Sequence, residues 1–126
     1  MLNDFRLANE SRQASLLGRK EVLTGKAKFG IFGDGKEVAQ IAMSKVFKNG
    51  DFRSGYYRDQ TFMFAIGALT VQQWFAGLYG HTDEILEPMS AGRQMGGHFG
   101  THSLNADGTF KNLVEQKNSP NYGEFK

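Results

Sequence analysis

Tyr57 and Arg58 are the residues whose types and spacing best suit the binding of a charged ligand. An arginine guanidinium stays charged at any useful pH and offers a planar fork of N–H donors that matches two phosphate oxygens. A segment with a helical pattern follows, and the first turn of a helix adds N–H donors and partial positive charge. The pair therefore predicts a clamp for a diphosphate. The alternative is that Arg58 pairs with Asp59 or another nearby carboxylate while Tyr57 only packs, because such ion pairs are common.

His98 is the second candidate, and it lies in a segment rich in glycine, residues 90–102. Glycine adopts backbone conformations that other residues avoid and lets a ligand or another chain approach closely. A histidine can carry a proton or donate a hydrogen bond near neutral pH. The alternative is a histidine bonded to backbone in a packed loop. No metal site is predicted, since the glycines disfavour the helix that would place His98 and His102 on one face, and the chain has no cysteine.

The run Gly33-Asp34-Gly35 has the composition of a phosphate-binding loop, but no convincing strand precedes it and no lysine-serine pair of the Walker type follows. Asp34 is therefore predicted to cap a helix, with Glu37 as its capping-box partner. A position facing a site is the alternative for Glu37, because the helix that it opens has the pattern of a buried one.

Four helices are predicted to position these candidates, over residues 4–17, 34–48, 59–66 and 70–79. Gly18 is predicted to stop the first helix. Thr70 is predicted to cap the fourth, with Gln73 three residues later. The second helix should bury a wide apolar face, and the fourth should bury a stripe at helical spacing. The members of the wide face are Val38, Ala39, Ile41, Ala42, Met43, Val46 and Phe47; those of the stripe are Val71, Trp74, Phe75, Leu78 and Tyr79.

Residues 88–126 show no sustained helical or strand period and are rich in glycine. A loop region of this length is typical of a functional segment or of one whose packing partners lie elsewhere. We therefore expect a single N-terminal segment, residues 1–126, of a larger domain. The fold expected for it is mainly α.

Composition excludes several classes of protein. A chain of 126 residues with 40% hydrophobic and 22% charged residues is typical of one modest globular domain. The net charge of +2 comes from interspersed signs, so no electrostatic footprint for nucleic acid is present. No stretch has the length of a signal peptide core or a membrane span. A cytoplasmic protein that binds neither nucleic acid nor membrane is predicted.

Three ordered motifs together resemble one enzyme family. Gly35-Lys36-Glu37, Tyr57-Arg58-Asp59, and Gly92-Arg93-Gln94-Met95 followed by His98-Phe99-Gly100 are similar in type, order and spacing to the N-terminal part of the α subunit of thiamin-diphosphate-dependent 2-oxo acid dehydrogenases. The last motif is more similar to the branched-chain (2-oxoisovalerate) type than to the pyruvate type. Ile31 stands where pyruvate-type relatives carry a histidine. The sequences of Gly25–Gly30 and Gly55–Met63 resemble those of bacterial enzymes with α and β portions fused in one chain.

The resemblance implies the N-terminal helical part of an α/β thiamin-diphosphate-binding fold. Tyr57 and Arg58 match the pair that holds the cofactor's diphosphate, and His98 matches a histidine near the active site, where a catalytic role is expected. The implied reaction is oxidative decarboxylation of a branched-chain 2-oxo acid with acyl transfer to a lipoyl carrier.

The resemblance also implies what must come from elsewhere. The family's magnesium ligands and activation loop are expected beyond Lys126, and the glutamate that activates the cofactor belongs to the β portion. The expected partners are that β portion, a lipoyl acyltransferase component and further copies of the chain. The isolated segment should be inactive. The alternative is a non-enzymatic helical module that binds another protein.

Overall fold

The computed structural model describes residues 1–48, 51–101 and 104–110, and over these ranges the chain is mainly helical. Its helices are α1 (Leu2–Leu23), α2 (Glu37–Val46), α3 (Gln60–Ala65) and α4 (Val71–Leu78). Outside them, Leu104 and Phe110 form an isolated antiparallel bridge. Within the described ranges, no helix has both the length and the apolar character needed to cross a membrane. Apart from single bridge positions, the described part of 88–126 consists of turns, bends and irregular chain; residues 102–103 and 111–126 of that predicted loop region lie outside the described residues.

Helix α1 extends further than predicted, and Gly18 lies inside it rather than at its end. The helix ends instead at Leu23, and Gly25, just after its C-cap Thr24, has a φ of +76°. There Lys26 N–H donates to the Glu21 carbonyl and Gly25 N–H to the Val22 carbonyl, the bonds of a Schellman motif. The buried face of α1 consists mostly of small or polar residues, so its apolar period is weak; its members are Ser11, Ala14, Ser15, Gly18 and Glu21.

Helix α2 begins at Glu37, and the predicted capping box of Asp34 and Glu37 is wrong. No side chain caps this helix. Both Glu37 carboxylate oxygens accept the Gly35 N–H, at 2.9 and 3.1 Å, while Asp34 accepts a hydrogen bond from Arg19 at 2.6 Å. Gly35 has a φ of +92° in the tight turn before the helix. Because Glu37 bonds to this turn and Asp34 to Arg19, neither carboxylate caps α2.

The wide apolar face predicted for α2 is mostly exposed. Val38 is 80% exposed and Val46 70%, and the side of the helix that is buried carries Glu37, Gln40 and Ile41. Gln40 is buried because it bonds to α3 and to the segment before it: its Nε2 donates to the Arg58 carbonyl and its Oε1 accepts the Phe62 N–H. Hydrogen bonding, not apolar area, therefore decides which face of α2 turns inward.

Helix α3 is the shortest helix and lies at the centre of the described structure. Its residues from Gln60 to Phe64 are all buried. Two buried polar bonds tie it to α1, Ser11 Oγ to Thr61 Oγ1 and Gln60 Nε2 to Ser15 Oγ, both at 2.6 Å. The apolar core forms around it, from Phe62, Met63, Phe64, Leu69 and Phe99.

Helix α4 has the predicted capping box. Thr70 Oγ1 accepts the Gln73 N–H at 3.1 Å, and Gln73 Oε1 accepts the Thr70 N–H at 3.0 Å. Its predicted stripe is only half-buried, since no residue of α4 is fully buried. Val71 and Trp74 pack against the core, while the far end of the stripe lines an open cleft.

Candidate functional site

The segment 53–59 is organised by a half-buried ion pair between Arg53 and Asp59. Asp59 Oδ2 also accepts the Tyr56 N–H at 2.9 Å. The Arg53 guanidinium lies 4.7 Å from the centre of the Phe62 ring, a cation–π contact. Burial lowers the pKa of Arg53, and the charge of Asp59 opposes that shift. Asp59 is therefore committed to Arg53, and the predicted alternative in which it pairs with Arg58 does not occur.

Arg58 lies in a cluster of aromatic hydroxyls instead. Its Nη1 donates to Tyr56 Oη at 3.1 Å, and Tyr56 Oη donates to Tyr57 Oη at 2.9 Å. Its guanidinium carbon is 5.0 Å from the centre of the Tyr57 ring. Among the residues that the structure describes, no carboxylate forms an ion pair with Arg58. The hydrogen bond between the two phenols and partial burial raise the pKa of Tyr57, so that phenol stays protonated at neutral pH.

The start of α3 contributes less than the sequence predicted. The Phe62 N–H, one of the N–H groups at the start of this helix, is taken by Gln40. The helix itself has only six residues, which limits its dipole. The donors of the site are therefore the side chains of Arg58 and the two tyrosines.

Gln40 is a residue of this site that the sequence did not reveal. By bonding the Arg58 carbonyl at 2.8 Å and the Phe62 N–H at 3.0 Å, it fixes the backbone on both sides of the turn that carries Arg58. Gly33 supports the same turn from another side, because a Cβ there would lie 2.6 Å from the Arg58 carbonyl oxygen. The only sequence signal for this role was that Gln40 follows Glu37 by three residues, so that both lie on one face of a mostly apolar helix.

His98 lies next to Tyr57. The rings are 5.6 Å apart between centres and meet edge to face. The His98 side chain is exposed, with Nδ1 3.3 Å from the Gly96 carbonyl oxygen. The contact is fixed further along the chain, where the Thr101 N–H donates to the Arg53 carbonyl and the Arg53 N–H donates to Thr101 Oγ1, both at 3.0 Å.

Gly55 makes this pairing of segments possible. A Cβ at this position would collide with the backbone of Phe99, so the two segments of the chain cross in direct backbone contact. Phe99 is buried in the core and anchors the crossing. The structure thus brings Tyr57, Arg58 and His98 into one region of the surface.

A cleft of about 340 Å³ opens beside Tyr57. Its size falls within the range of small-molecule sites. Its walls are residues 26–31, the second half of α4 with the turn after it, and the glycine-rich segment from Met89 to Gly97. Most of the lining side chains are apolar or aromatic: Phe29, Ile31, Trp74, Leu78, Tyr79, Met89 and Met95.

Two lysines add positive charge to this cleft. Lys26 lies 3.4 Å from Glu21, which also accepts a hydrogen bond from Tyr79 at 2.7 Å. That bond from Tyr79 is the main cause of the lowered pKa of Glu21. Lys28 has no ion-pair partner within the described ranges. The same ranges hold no group of three side chains suited to a metal ion.

Comparison of the chain with protein-family models, with curated proteins and with solved structures found no match.

Proposed function

We propose that this chain forms part of the decarboxylating component of a thiamin-diphosphate-dependent 2-oxo acid dehydrogenase of the branched-chain type. Tyr57 and Arg58 would hold the cofactor's diphosphate. The observation that carries the proposal is the state of Arg58: its guanidinium lies among phenol hydroxyls, and no carboxylate of the described chain neutralises it. An arginine without a carboxylate partner, beside hydroxyl donors, suits a phosphate ligand.

The donor set fits a diphosphate. Arg58 supplies charge and several N–H groups, and the protonated Tyr57 supplies an O–H donor to an anionic oxygen. Thiamin diphosphate, when bound, supplies the stabilisation of a carbanion next to the former carboxylate. Its magnesium ion would need ligands from outside the described residues.

The apolar cleft beside Tyr57 supports a branched acyl chain as the second ligand group. Side chains such as Leu78 and Met89 exclude water and favour an aliphatic group. His98, which is exposed and in contact with Tyr57, would hold or deliver a proton near the site. The proposed enzyme is cytoplasmic. Its proposed partners are a β portion, a lipoyl acyltransferase and further copies of the chain.

The first test is the reading frame that encodes this chain. The proposal expects it to carry a glycine-aspartate-glycine magnesium motif further along. The protein from that whole frame should bind thiamin diphosphate with Mg²⁺ and decarboxylate 2-oxoisovalerate. Arg58→Ala should weaken the binding, measured by calorimetry, about a hundredfold.

Arg6→Ala is the matched control, because Arg6 is an exposed arginine that pairs with Glu10 on α1. It should bind the cofactor like the wild type. Unchanged affinity in Arg58→Ala would refute the role of this arginine. The isolated 126-residue chain should bind the cofactor no more tightly than about 1 mM, because half of a diphosphate site leaves charge uncompensated.

A second candidate function is the helical interaction module, and the exposed apolar face of α2 favours it. The two candidates differ in their dependence on single residues. For a module, Arg58→Ala would leave function unchanged, and a charge placed on α2, such as Val46→Asp, would abolish it. For the enzyme, Arg58→Ala would impair function and Val46→Asp would leave it unchanged.

A further inference from the structure

Glu87 is a buried carboxylate that the proposed function does not use. Only 1% of its surface is exposed. Its carboxylate accepts four hydrogen bonds of 2.9 Å from the chain that follows it: Oε1 from the Met89 N–H, and Oε2 from the Ser90 N–H, the Ser90 hydroxyl and the Gly92 N–H. In the described chain no cation pairs with it. Three backbone N–H groups and the Ser90 hydroxyl therefore stabilise the charge.

The segment held by Glu87 is one wall of the cleft. Met89 and Gly92 line it directly. Ser90 Oγ, which donates to Glu87, also accepts the Gln94 N–H at 3.0 Å, and Gln94 lines the cleft as well. One carboxylate is thus connected to three positions of this wall.

The backbone of the same segment is strained. Ala91 has a φ of +49°, which is uncommon for a residue with a side chain. Gly92 follows at +76°, pressed so close to the turn after α4 that a Cβ would lie 2.5 Å from the Gly80 carbonyl oxygen. Such a conformation persists only where the surroundings hold it. The bonds to Glu87 on both sides of Ala91 do so.

We infer that Glu87 is the positioning residue of the cleft: it holds residues 89–94 in the shape that makes the glycine-rich wall. The inference rests on these contacts and stands whether or not the ligand is thiamin diphosphate. Asp83 provides an internal comparison. Its carboxylate accepts the Ile85 and Leu86 N–H groups in the same way, but it is exposed and holds a turn that does not line the cleft.

The test uses Trp74, the single tryptophan of the chain, which lines the cleft. In Glu87→Gln an NH₂ group replaces one acceptor oxygen and faces N–H donors, so the wall should loosen. We expect Trp74 emission to shift to longer wavelength and acrylamide quenching to increase, with the helical circular dichroism unchanged. Asp83→Asn should leave both fluorescence readouts as in the wild type. Unaltered Trp74 fluorescence in folded Glu87→Gln would overturn the inference.

Amide exchange in the wild-type protein gives a second measurement that needs no variant. The N–H groups of Met89, Ser90 and Gly92 should exchange at least about tenfold more slowly than those of Ile85 and Leu86, because a buried charged acceptor holds them. Equal exchange in the two groups would refute the role of Glu87 even if Glu87→Gln failed to fold. Arg58→Ala should alter neither readout, so failure of this inference is distinguishable from failure of the proposed function.

Discussion

Gly18 lies where α1 approaches two aromatic rings most closely. A Cβ at this position would be 2.6 Å from Phe32 Cε1 and 2.8 Å from Trp74 Cη2. Those rings are 6.0 Å apart between centres and pack against each other, so neither can move freely. Glycine is thus used inside a helix, at a cost in helix propensity, because nothing larger fits.

Gly18→Ala should lower the free energy of unfolding by about 1–2 kcal/mol, since overpacking outweighs the gain in helix propensity. Urea denaturation followed by circular dichroism measures the change. Gly77→Ala is the matched control, because its Cβ would be too close only to the terminal methyl of Met89, at 2.6 Å, which can move aside, and would be in ordinary contact with Glu87 at 3.8 Å. Its cost should be clearly smaller. A Gly18→Ala protein as stable as the wild type would contradict this packing.

The two arginines of the site show what the sequence could and could not predict about it. That Tyr57 and Arg58 lie side by side followed from adjacency alone. Which arginine would pair with Asp59 did not, because the answer depends on the Phe62 ring and on Thr101, which position Arg53 from distant parts of the chain. Local spacing thus identified the candidates, and tertiary contacts decided their partners.

At the level of elements, α4 is the helix whose start is best defined. Its capping box satisfies the Thr70 and Gln73 N–H groups with each other's side chains. This helix also carries Trp74 and one wall of the cleft. Its first turn therefore affects both stability and the shape of the candidate site.

Thr70→Ala should reduce the free energy of unfolding by about 1 kcal/mol, because it leaves the Gln73 N–H without its acceptor. Thermal unfolding measures the effect as a lower midpoint. Gln72→Ala, at an exposed position of the same helix, is the control and should leave the midpoint nearly unchanged. Equal midpoints for Thr70→Ala and the wild type would show that the box does not stabilise α4.

Helix α2 shows why hydrophobic pattern misled the prediction. The apolar residues outnumber the polar ones, so the pattern placed the apolar side inward. Gln40 and Glu37 are buried instead, because both supply acceptors to backbone N–H groups that would otherwise be unsatisfied. The spacing of apolar residues indicates which face of a helix could bury apolar area, but it does not indicate hydrogen bonds of this kind.

For the molecule as a whole, carboxylates in hydrogen bonds or ion pairs should make stability fall in acid. Asp34 is the clearest case: the hydrogen bond from Arg19 lowers its pKa, with the charges of Arg19 and Arg12 adding to the effect. Arg12 also faces Glu37, at 3.5 Å. Because the folded pKa is below the unfolded one, the stabilisation is complete above the unfolded value, about 4, and is lost as pH falls through the folded value.

Asp34→Asn should therefore lower stability at neutral pH and weaken its decline in acid. Denaturant unfolding at a series of pH values measures both. Glu84→Gln removes one strongly exposed carboxylate and is the control for net charge. If Asp34→Asn and the wild type lost stability in parallel on acidification, Asp34 would not contribute to this dependence.

The number and order of the described helices were predictable, because each has its own local pattern. The ends of α1 and α2 were not. Gly18 looked like a stop, and only the rings packed on it explain why it is interior. Asp34 looked like a cap, and only its bond with Arg19 on α1 explains why it is not. Both errors arise from partners far away in the sequence.

The crossing of Gly55 and Phe99 constrains how this chain can vary. Residues between the two segments of this crossing, for example in the exposed turn held by Asp83, can be inserted or deleted as long as the ends return to the same register. The crossing itself admits no side chain at position 55 and no slip of one residue. A change there would separate Tyr57 from His98 while leaving each in intact local structure, so the approach of these two side chains depends on this crossing together with the bonds between Arg53 and Thr101.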